Sequence, residues 1–478
     1  MLLGDLFADP GLPPVPVRAL AYDARRVTPG TAFFCVRGFT ADGHAFAPDA
    51  IARGAVALVV DHPLGLGVPE VVVGDVRAAM APAAARLAGD PTAELAMVGI
   101  TGTAGKTTTA FLTRALLEGG GRPTGLLGTV ASVVGGAERP AGRTTPEAID
   151  LQPALRAMLD AGDRACVMEV SSHALTLGRA DAIHWDVAAF TNLSQDHLDF
   201  HDGLEDYFLA KRRLFEVAAQ QGATLVACVD DAYGARLAAE FPQAQTVGVD
   251  APGAALRAED LVAGPLGTTF RLGDLPLRLP LPGRFNVRNA LVAIAGARAL
   301  GVADAQIAQA LAGAARVPGR FEPVDEGQGF AVIVDYAHKP DALENVLRVA
   351  RELAAGRLLV VVGAGGDRDR GKRPLMGAAA ARHADLVLLT SDNPRSEDPE
   401  AILADLAAGI GPSAAAAVER VLDRREAIAR AIALAQDGDV VLIAGKGHET
   451  YQELAGGVTV PFDDREVARE AVRARVVA

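Results

Sequence analysis

Cysteine is scarce in this chain. Cys35, Cys166 and Cys228 are scattered through 478 residues with no C-x-x-C pair, which argues against a disulfide framework and against structural zinc. Long apolar runs are missing too. No stretch reaches the roughly 18 residues needed to span a membrane, and the first residues, MLLGDLFADPG, carry no basic segment of a secretory signal. A cytoplasmic protein without a membrane partner is expected. Positive charge is in deficit: 46 Lys and Arg stand against 59 Asp and Glu, a net charge of −13. That balance argues against nucleic acid as a partner, and an anionic substrate would need local basic pockets. Internal repeats and low-complexity tails are absent as well.

Half of the residues are hydrophobic and glycine is abundant, at 51, a composition that suits an α/β protein. The length suggests about three domains. Residues 1–90 contain short strands, AVALVV (55–60) and EVVVGDV (70–76), then an Ala-rich helix stopped at Gly89-Asp90-Pro91. Residues 91–322 alternate strand and helix. Residues 323–478 hold three apolar runs, RLLVVVGAGG, ADLVLLTSDNPR and DVVLIAGKGHE, each closing in a polar loop. Parallel strands separated by helices give this pattern, and ligands bind beyond their C-terminal ends. Gly363-Ala364-Gly365-Gly366 is not G-x-G-x-x-G, so a dinucleotide site is not expected there.

GITGTAGKTTT (99–109) is the sharpest local signal. LAMVGI (95–100) reads as a buried strand and TTTAFLTRALLEGG (107–120) as a helix closed by glycine. Gly102 and Gly105 should let backbone N–H groups point into a concavity at the helix N-terminus, a geometry that binds phosphate without any side chain. Lys106 adds a point charge and Thr107 a hydroxyl for Mg²⁺. The fit to G-x-x-x-x-G-K-[ST] is imperfect, because Ile100 stands where the first glycine belongs.

Two further strand ends carry polar clusters. RACVMEVSSHAL (164–175) places Glu169, Ser171, Ser172 and His173 after an apolar run; DVAAFTNLSQDHLDFH (186–201) places Asp196, His197, Asp199 and His201. Singly, each reads as a loop residue or a helix cap. Together, at the edge where the glycine-rich loop opens, a carboxylate and an imidazole can hold Mg²⁺ beside a phosphate. Lys211, in the amphipathic stretch DYFLAKRRLF (206–215), reads by itself as part of a solvated face.

These motifs, with TTPE (144–147), GRFNVRNALVA (283–293), GRFEPV (319–324), VDYAHKPDAL (334–343), GGDRDRGKRPLMG (365–377), DNPR (392–395) and GKGHE (445–449), resemble the Mur ligases, in order and along nearly the whole chain. The resemblance implies a fold of three α/β domains. These are a small UDP-binding domain (1–90), a central P-loop ATPase-like domain with a parallel sheet (91–322), and a C-terminal Rossmann-like, amino-acid-binding domain (323–478). It implies a monomer that uses ATP and Mg²⁺ to add the third peptide residue to UDP-N-acetylmuramoyl-L-Ala-D-Glu through an acyl phosphate.

Residue by residue, the resemblance implies that Gly102, Thr103, Ala104, Gly105, Lys106, Thr107 and Thr108 bind ATP phosphates. Asn286, Arg320, Asp335 and His338 are implied to meet the rest of the nucleotide. Thr107, Glu169, His197 and Lys211 match metal positions, Lys211 as the N6-carboxylysine (carbamate) of the family. Lys106, Lys211, His197 and Glu169 are thus the implied catalytic set. Ala24, Thr144, Thr145, Ser171 and Arg179 match UDP-substrate positions, and YDARRV (22–27) and GFTADGH (38–44) match the uridine-binding domain. Arg368, Asp392, Asn393, Pro394, Arg395, Gly445 and Glu449 match the amino-acid pocket. DNPR resembles the signature of members that add meso-diaminopimelate, whereas lysine-adding relatives lack its arginine. Arg395 is expected to pair with the distal carboxylate and Asp392 or Glu449 with the distal ammonium. If lysine entered, an unpaired Arg395 would cost about 3–5 kcal/mol.

Departures are few: Ala24 where the family often has serine, Ala104 and Arg143 where relatives carry asparagine, and Leu177 where others carry glutamine. They bear on single contacts. Three rival readings are an L-lysine-adding ligase, a folylpolyglutamate synthase-like ligase and a P-loop regulatory ATPase. The last leaves DNPR, GKGHE and the first segment without a role.

Overall fold

The computed structural model describes residues 1–39, 41–140, 142–198, 200–264, 267–314, 317–412 and 414–477. The chain forms two compact units. The first comprises Met1–Arg257 and Arg288–Ala310; the second comprises Ala258–Val287 and the residues from Leu311 onward. Among the described residues no helix is long and apolar enough to cross a membrane.

The first unit opens with a four-stranded parallel sheet, Ala19–Ala21, Thr31–Phe34, Ala55–Val60 and Glu70–Val72, in that order. AVALVV forms its strand over the anticipated residues, while EVVVGDV gives only Glu70–Val72 before Asp75 caps the helix Val76–Leu87. A nine-stranded sheet follows, with Ala96–Thr101 flanked in parallel by Ala165–Glu169 and Val187–Phe190. Ile100 stands beside Glu169 and Thr101 beside Phe190. Three polar clusters, each anticipated at a strand end, therefore leave one edge of one sheet. Parallel pairing in register does this, because it brings like ends together.

Helix Lys106–Gly119 buries Thr109, Ala110, Leu112, Thr113, Leu116 and Leu117, a helical period, and stops at Gly120-Gly121. In helix Leu204–Gln220 the buried residues are Tyr207, Phe208, Lys211, Leu214, Phe215 and Ala218. Lys211 lies four residues after Tyr207 and three before Leu214, on the apolar stripe. The solvated-face reading of Lys211 is overturned: the residue is 1% exposed.

In the second unit a six-stranded sheet runs Glu322–Val324, Ala331–Asp335, Val440–Ala444, Leu358–Val362, Leu386–Leu389, Ala417–Arg420, parallel except for the first. The three apolar runs supply its three central neighbours. Val440–Ala444 and Leu358–Val362 are buried throughout. They are covered on one side by a cluster that includes Leu343, Met376 and Leu403, and on the other by one that includes Ile428, Ile432 and Val472. Continuous apolar strands require that two-sided cover.

Antiparallel strands interrupt the strand/helix alternation in places, as where Ala131–Val134 pairs with Thr124–Leu127 and Ala137–Pro140. Glu259–Gly264, Gly267–Leu272 and Leu275–Leu279 form an antiparallel sheet. In GTTFRL every second residue is buried (Thr268, Phe270, Leu272), the period-2 pattern of a sheet with one wet face.

Candidate active site

The glycine-rich loop is held at close quarters. Gly102 and Gly105 have φ of +147° and +82°, a region that side chains disfavour. A Cβ on Gly102 would meet Thr191 Oγ1 at 2.0 Å, and one on Gly105 would meet Asn289 Oδ1 at 2.3 Å. Thr191 Oγ1 donates to Ala104 O at 2.7 Å and Asn192 Nδ2 to the same oxygen at 3.0 Å. Asn192 also accepts, from Thr103 N through its carbonyl at 2.9 Å and from Ala104 N through Oδ1 at 3.0 Å. In this structure the N–H groups of Thr103 and Ala104 therefore serve Asn192. Gly105 lies at the positive end of helix Lys106–Gly119, an end that favours negative charge.

Two ammonium groups converge there. Lys106 Nζ donates to Gly102 O at 2.8 Å and Thr103 O at 3.0 Å, and Lys211 Nζ donates to the same Gly102 O at 2.9 Å. Lys211 Nζ also lies 4.3 Å from the Tyr207 ring centre. Burial pushes the Tyr207 phenol above its usual range, so it stays a neutral neighbour, 3.2 Å from Thr103 Oγ1. Two like charges on one carbonyl oxygen form a strongly attractive place for phosphate.

The carboxylate of Glu169, 1% exposed, stands beside the loop. Its Oε2 accepts from Thr107 Oγ1 at 3.1 Å and Thr129 Oγ1 at 3.0 Å, and its Oε1 from Thr129 N at 2.8 Å. Thr145 Oγ1 donates to Glu169 O at 2.9 Å and accepts from Ser171 N at 3.1 Å, while Thr144 Oγ1 is 3.0 Å from Thr129 Oγ1. Ser171 caps the short helix Ser172–Thr176. His197, at φ +53°, places Nε2 3.2 Å from Asp196 Oδ2 and packs edge-on against His173 and Tyr207. Asp199 lies outside the described residues. The hydroxyl of Thr107 and the carboxylate of Glu169 are hard oxygen donors in contact, a set that suits Mg²⁺.

In the second unit, polar side chains gather at the parallel strand ends after Asp335, Val362, Leu389 and Ala444. Asp335 accepts from Phe321 N and Ala337 N, both at 2.7 Å. Burial raises its carboxyl, opposed by Arg320 and these two N–H groups. The Arg320 guanidinium lies 4.5 Å from the centre of the Tyr336 ring. His338 is pushed down to about 3, first by burial and then by Lys339 and Lys372, so its imidazole is neutral at pH 7.

Asp392 and Asn393 are both buried. Lys446, fully buried, donates to Asn393 Oδ1 at 2.9 Å and to Glu449 Oε2 at 3.0 Å, with Asp392 Oδ1 at 3.5 Å. The acidic residues expected to await a ligand ammonium thus already hold an internal one. Gly445 N donates to Asp335 O at 3.0 Å, and a Cβ at Gly445 would sit 2.7 Å from Asp392 Oδ2. Pro394 O faces Gly366, where a Cβ would approach to 1.9 Å. Arg395 Nε donates to Glu453 Oε2 at 2.7 Å and Nη1 to Gly366 O at 2.7 Å. Arg368 is exposed and bonds only locally, to Asp367 O at 3.0 Å.

Comparison with known proteins bears on these sites. The description "Mur ligase family, catalytic domain" matches residues 16–88, "Mur ligase middle domain" residues 100–297, and "Mur ligase, glutamate ligase domain" residues 319–447. A UDP-N-acetylmuramoyl-L-alanyl-D-glutamate–2,6-diaminopimelate ligase of Geobacillus thermodenitrificans is 48% identical, over 96% of this chain and 95% of the relative. The chain belongs to the Mur ligase family. A ligase of the same name from Streptomyces coelicolor is 47% identical over 96% of this chain and 92% of its own. A solved structure of a ligase with that name superposes with a TM-score of 0.70 at 34% identity, covering 96% of each chain. Folylpolyglutamate synthase of Mycobacterium tuberculosis, at 22% identity and a TM-score of 0.62, shares the fold alone.

Hydrogen bonds and ion pairs hold the remaining expected site residues. Ala24 is buried in the turn Ala24–Arg26, with Asp23 capping it from the preceding position. Arg179 Nε lies 2.8 Å from Glu147 Oε1. Glu147, 4% exposed, also receives Arg143 at 2.8 Å and Arg77 at 3.3 Å. Three guanidinium groups on one carboxylate leave a net local charge of +2, the kind of basic pocket that an acidic protein needs for an anionic substrate. The unusual Arg143 thus has a partner. Asn286 Nδ2 donates to Pro282 O at 2.8 Å.

Sequence reasoning missed Thr129, Glu147, Asn192, Asn289, Lys446 and Glu453. Asn289 carried a signal, since it follows Asn286 by three residues and so shares its helix face. Glu147 belongs to the quoted TTPE. His44, Asp61 and His62 also place three ligand-type atoms within 4.8 Å of one another. Asp42 on His44 and Arg37 on Asp61, at 2.6 and 2.7 Å, complete that network without an ion.

Proposed function

We propose that the protein is an ATP-dependent ligase joining meso-diaminopimelate to the D-Glu γ-carboxylate of UDP-N-acetylmuramoyl-L-Ala-D-Glu, a step of peptidoglycan precursor synthesis. The observation that carries the chemistry is the glycine-rich loop with Lys106 and Lys211, set beside the Glu169 carboxylate at adjacent parallel strand ends. The choice of amino acid rests on the name borne by relatives nearly half identical from end to end. We assign residues 1–90, 91–322 and 323–478 to UDP-substrate, ATP and amino-acid binding respectively, in a cytoplasmic monomer.

The γ-phosphate of ATP lies against Gly105 and the positive end of helix Lys106–Gly119, where the Lys106 ammonium neutralises charge as it shifts between oxygens. A carboxylate oxygen of D-Glu attacks the γ-phosphorus, the bond to the ADP oxygen breaks, and an acyl phosphate forms. The neutral amine of the amino acid then attacks the acyl carbon; phosphate departs, the amine loses a proton, and an amide remains. Thr107, Glu169, His197 and Lys211 would hold Mg²⁺, which when bound would supply charge neutralisation beside the phosphates. Asn286, Arg320, Asp335 and His338 are assigned to the nucleotide. Ala24, Thr144, Thr145, Ser171 and Arg179 are assigned to the UDP substrate, and Arg368, Asp392, Asn393, Pro394, Arg395, Gly445 and Glu449 to the amino acid.

Lys211 is assigned as a carbamate. Its ammonium loses one proton, and the free amine adds to CO₂ with loss of a second, which replaces one of two crowded ammonium groups with a carboxylate suited to Mg²⁺. Protein equilibrated with ¹³C-labelled bicarbonate is expected to give a carbamate ¹³C resonance that Lys211→Ala abolishes. A spectrum without that resonance in active enzyme contradicts the assignment.

Phosphate release separates a ligase from a regulatory ATPase. It is expected only when ATP, the UDP-dipeptide substrate and the amino acid are all present. Sustained release with ATP alone refutes the ligase reading.

A further inference from the structure

Arg395 is held twice from its own side of the pocket, by Glu453 at Nε and by Gly366 O at Nη1. Glu453 belongs to the hairpin Tyr451–Glu453 and Thr459–Pro461, which is fastened to the DNPR loop through other atoms. Arg395 N donates to Glu453 O at 3.2 Å, Glu453 N to Asn393 Oδ1 at 2.9 Å, and Gln452 Nε2 to Asp392 O at 2.6 Å. The hairpin therefore docks by its backbone and by Gln452, and the Glu453 carboxylate is not needed for docking. What the carboxylate does is fix one edge of a guanidinium whose long side chain otherwise samples many rotamers.

We infer that Glu453 is a positioning residue that sets the enzyme's affinity and selectivity for the amino acid, by holding Arg395 at Nε so that Nη2 is presented to a carboxylate of the ligand. This rests on the reading of the pocket as the diaminopimelate site. With Nε on Glu453 and one Nη1 hydrogen on Gly366 O, the donors that remain are Nη2 and the second Nη1 hydrogen, a fork that can meet a carboxylate in two parallel bonds. A guanidinium fixed before the ligand arrives loses less entropy on binding. Glu453 is 31% and Arg395 19% exposed at the side chain, so the pair borders water and the ligand carboxylate can reach it.

The test compares Glu453→Ala, Glu453→Gln and Arg395→Ala in the full chain, with steady-state kinetics in all three substrates. Glu453→Ala is expected to raise KM for meso-diaminopimelate about tenfold, the size of one charge-assisted hydrogen bond. The values of kcat and of KM for ATP and for the UDP substrate should stay at wild-type level. Glu453→Gln keeps an oxygen acceptor for Nε and should restore most of the affinity. An unchanged or lowered KM in Glu453→Ala overturns the inference, a lowered one by marking Glu453 as a competitor of the ligand carboxylate. So does a rise shared by all three substrates, which marks a merely structural role. Arg395→Ala separates the two levels. If it leaves KM for diaminopimelate unchanged, the pocket reading itself fails. If it raises KM and Glu453→Ala does not, only the positioning role fails. A thermal melt within wild-type range for each variant establishes that the fold is intact.

Discussion

Lys106→Ala is expected to lower kcat/KM for amide formation by about a thousandfold, roughly 4 kcal/mol of transition-state stabilisation. Lys106 Nζ rests on Gly102 O and Thr103 O, within reach of the carbonyl that Lys211 also touches. Charge spreads over the phosphoryl oxygens as the γ-phosphate is transferred, and Lys211, assigned as a carbamate, cannot take over the part of the ammonium there. The fold should survive, because Thr191, Asn192 and Asn289 clamp the loop independently of Lys106. The measurement is product formation with all three substrates, beside a thermal melt of the same preparation. Turnover within about tenfold of wild type, against the loss estimated above, contradicts the role given to Lys106.

The second large effect concerns the amino acid. Wild-type enzyme is expected to prefer meso-diaminopimelate over L-lysine in kcat/KM by about ten- to a hundredfold from Arg395 alone, and Arg395→Ala should remove that share. The margin is smaller than the sequence suggests. An Arg395 stranded without a partner would penalise lysine by about 3–5 kcal/mol, but Glu453 and Gly366 O keep the guanidinium paired whichever amino acid is present. What lysine forfeits is the added pair of hydrogen bonds to its missing carboxylate, about 1.5–3 kcal/mol. If the ratio of the two kcat/KM values is the same in wild type and Arg395→Ala, Arg395 does not read the distal carboxylate.

The glycine-rich loop was legible because its chemistry is local: Gly102, Gly105, Lys106 and Thr107 fall within six residues, and a strand and a helix frame them by period alone. The strand ends at Glu169 and Phe190 were legible for the same reason. Their convergence needed parallel pairing, which alternation of strand and helix implies. Lys211 was harder. Between Ala210 and Arg212-Arg213 it reads as solvated, and only its register with Tyr207 and Leu214 places it on the buried stripe.

Contacts made across the sheet were not legible. Asn192 caps Thr103 and Ala104 from a different strand end, 88 or more residues away in sequence, and nothing in TNLSQDH marks that asparagine out. Lys446 illustrates the same limit. A lysine between two glycines reads as exposed, yet the carboxylates of buried Asp392 and half-buried Glu449 draw it in. The antiparallel sheet formed by Glu259–Gly264, Gly267–Leu272 and Leu275–Leu279 was hidden for another reason: its strands are short, the first buries no residue and the other two bury only alternate ones, so the signal never builds into an apolar run.

The central claim is the identity of the product. Purified protein incubated with ATP, Mg²⁺, UDP-N-acetylmuramoyl-L-Ala-D-Glu and an equimolar mixture of meso-diaminopimelate and L-lysine should yield, by mass spectrometry, the diaminopimelyl tripeptide as the dominant product, with ADP and phosphate formed in equal amounts. A dominant lysyl product would contradict the assignment of the amino acid, and hydrolysis of ATP with neither amide formed would contradict the ligase itself.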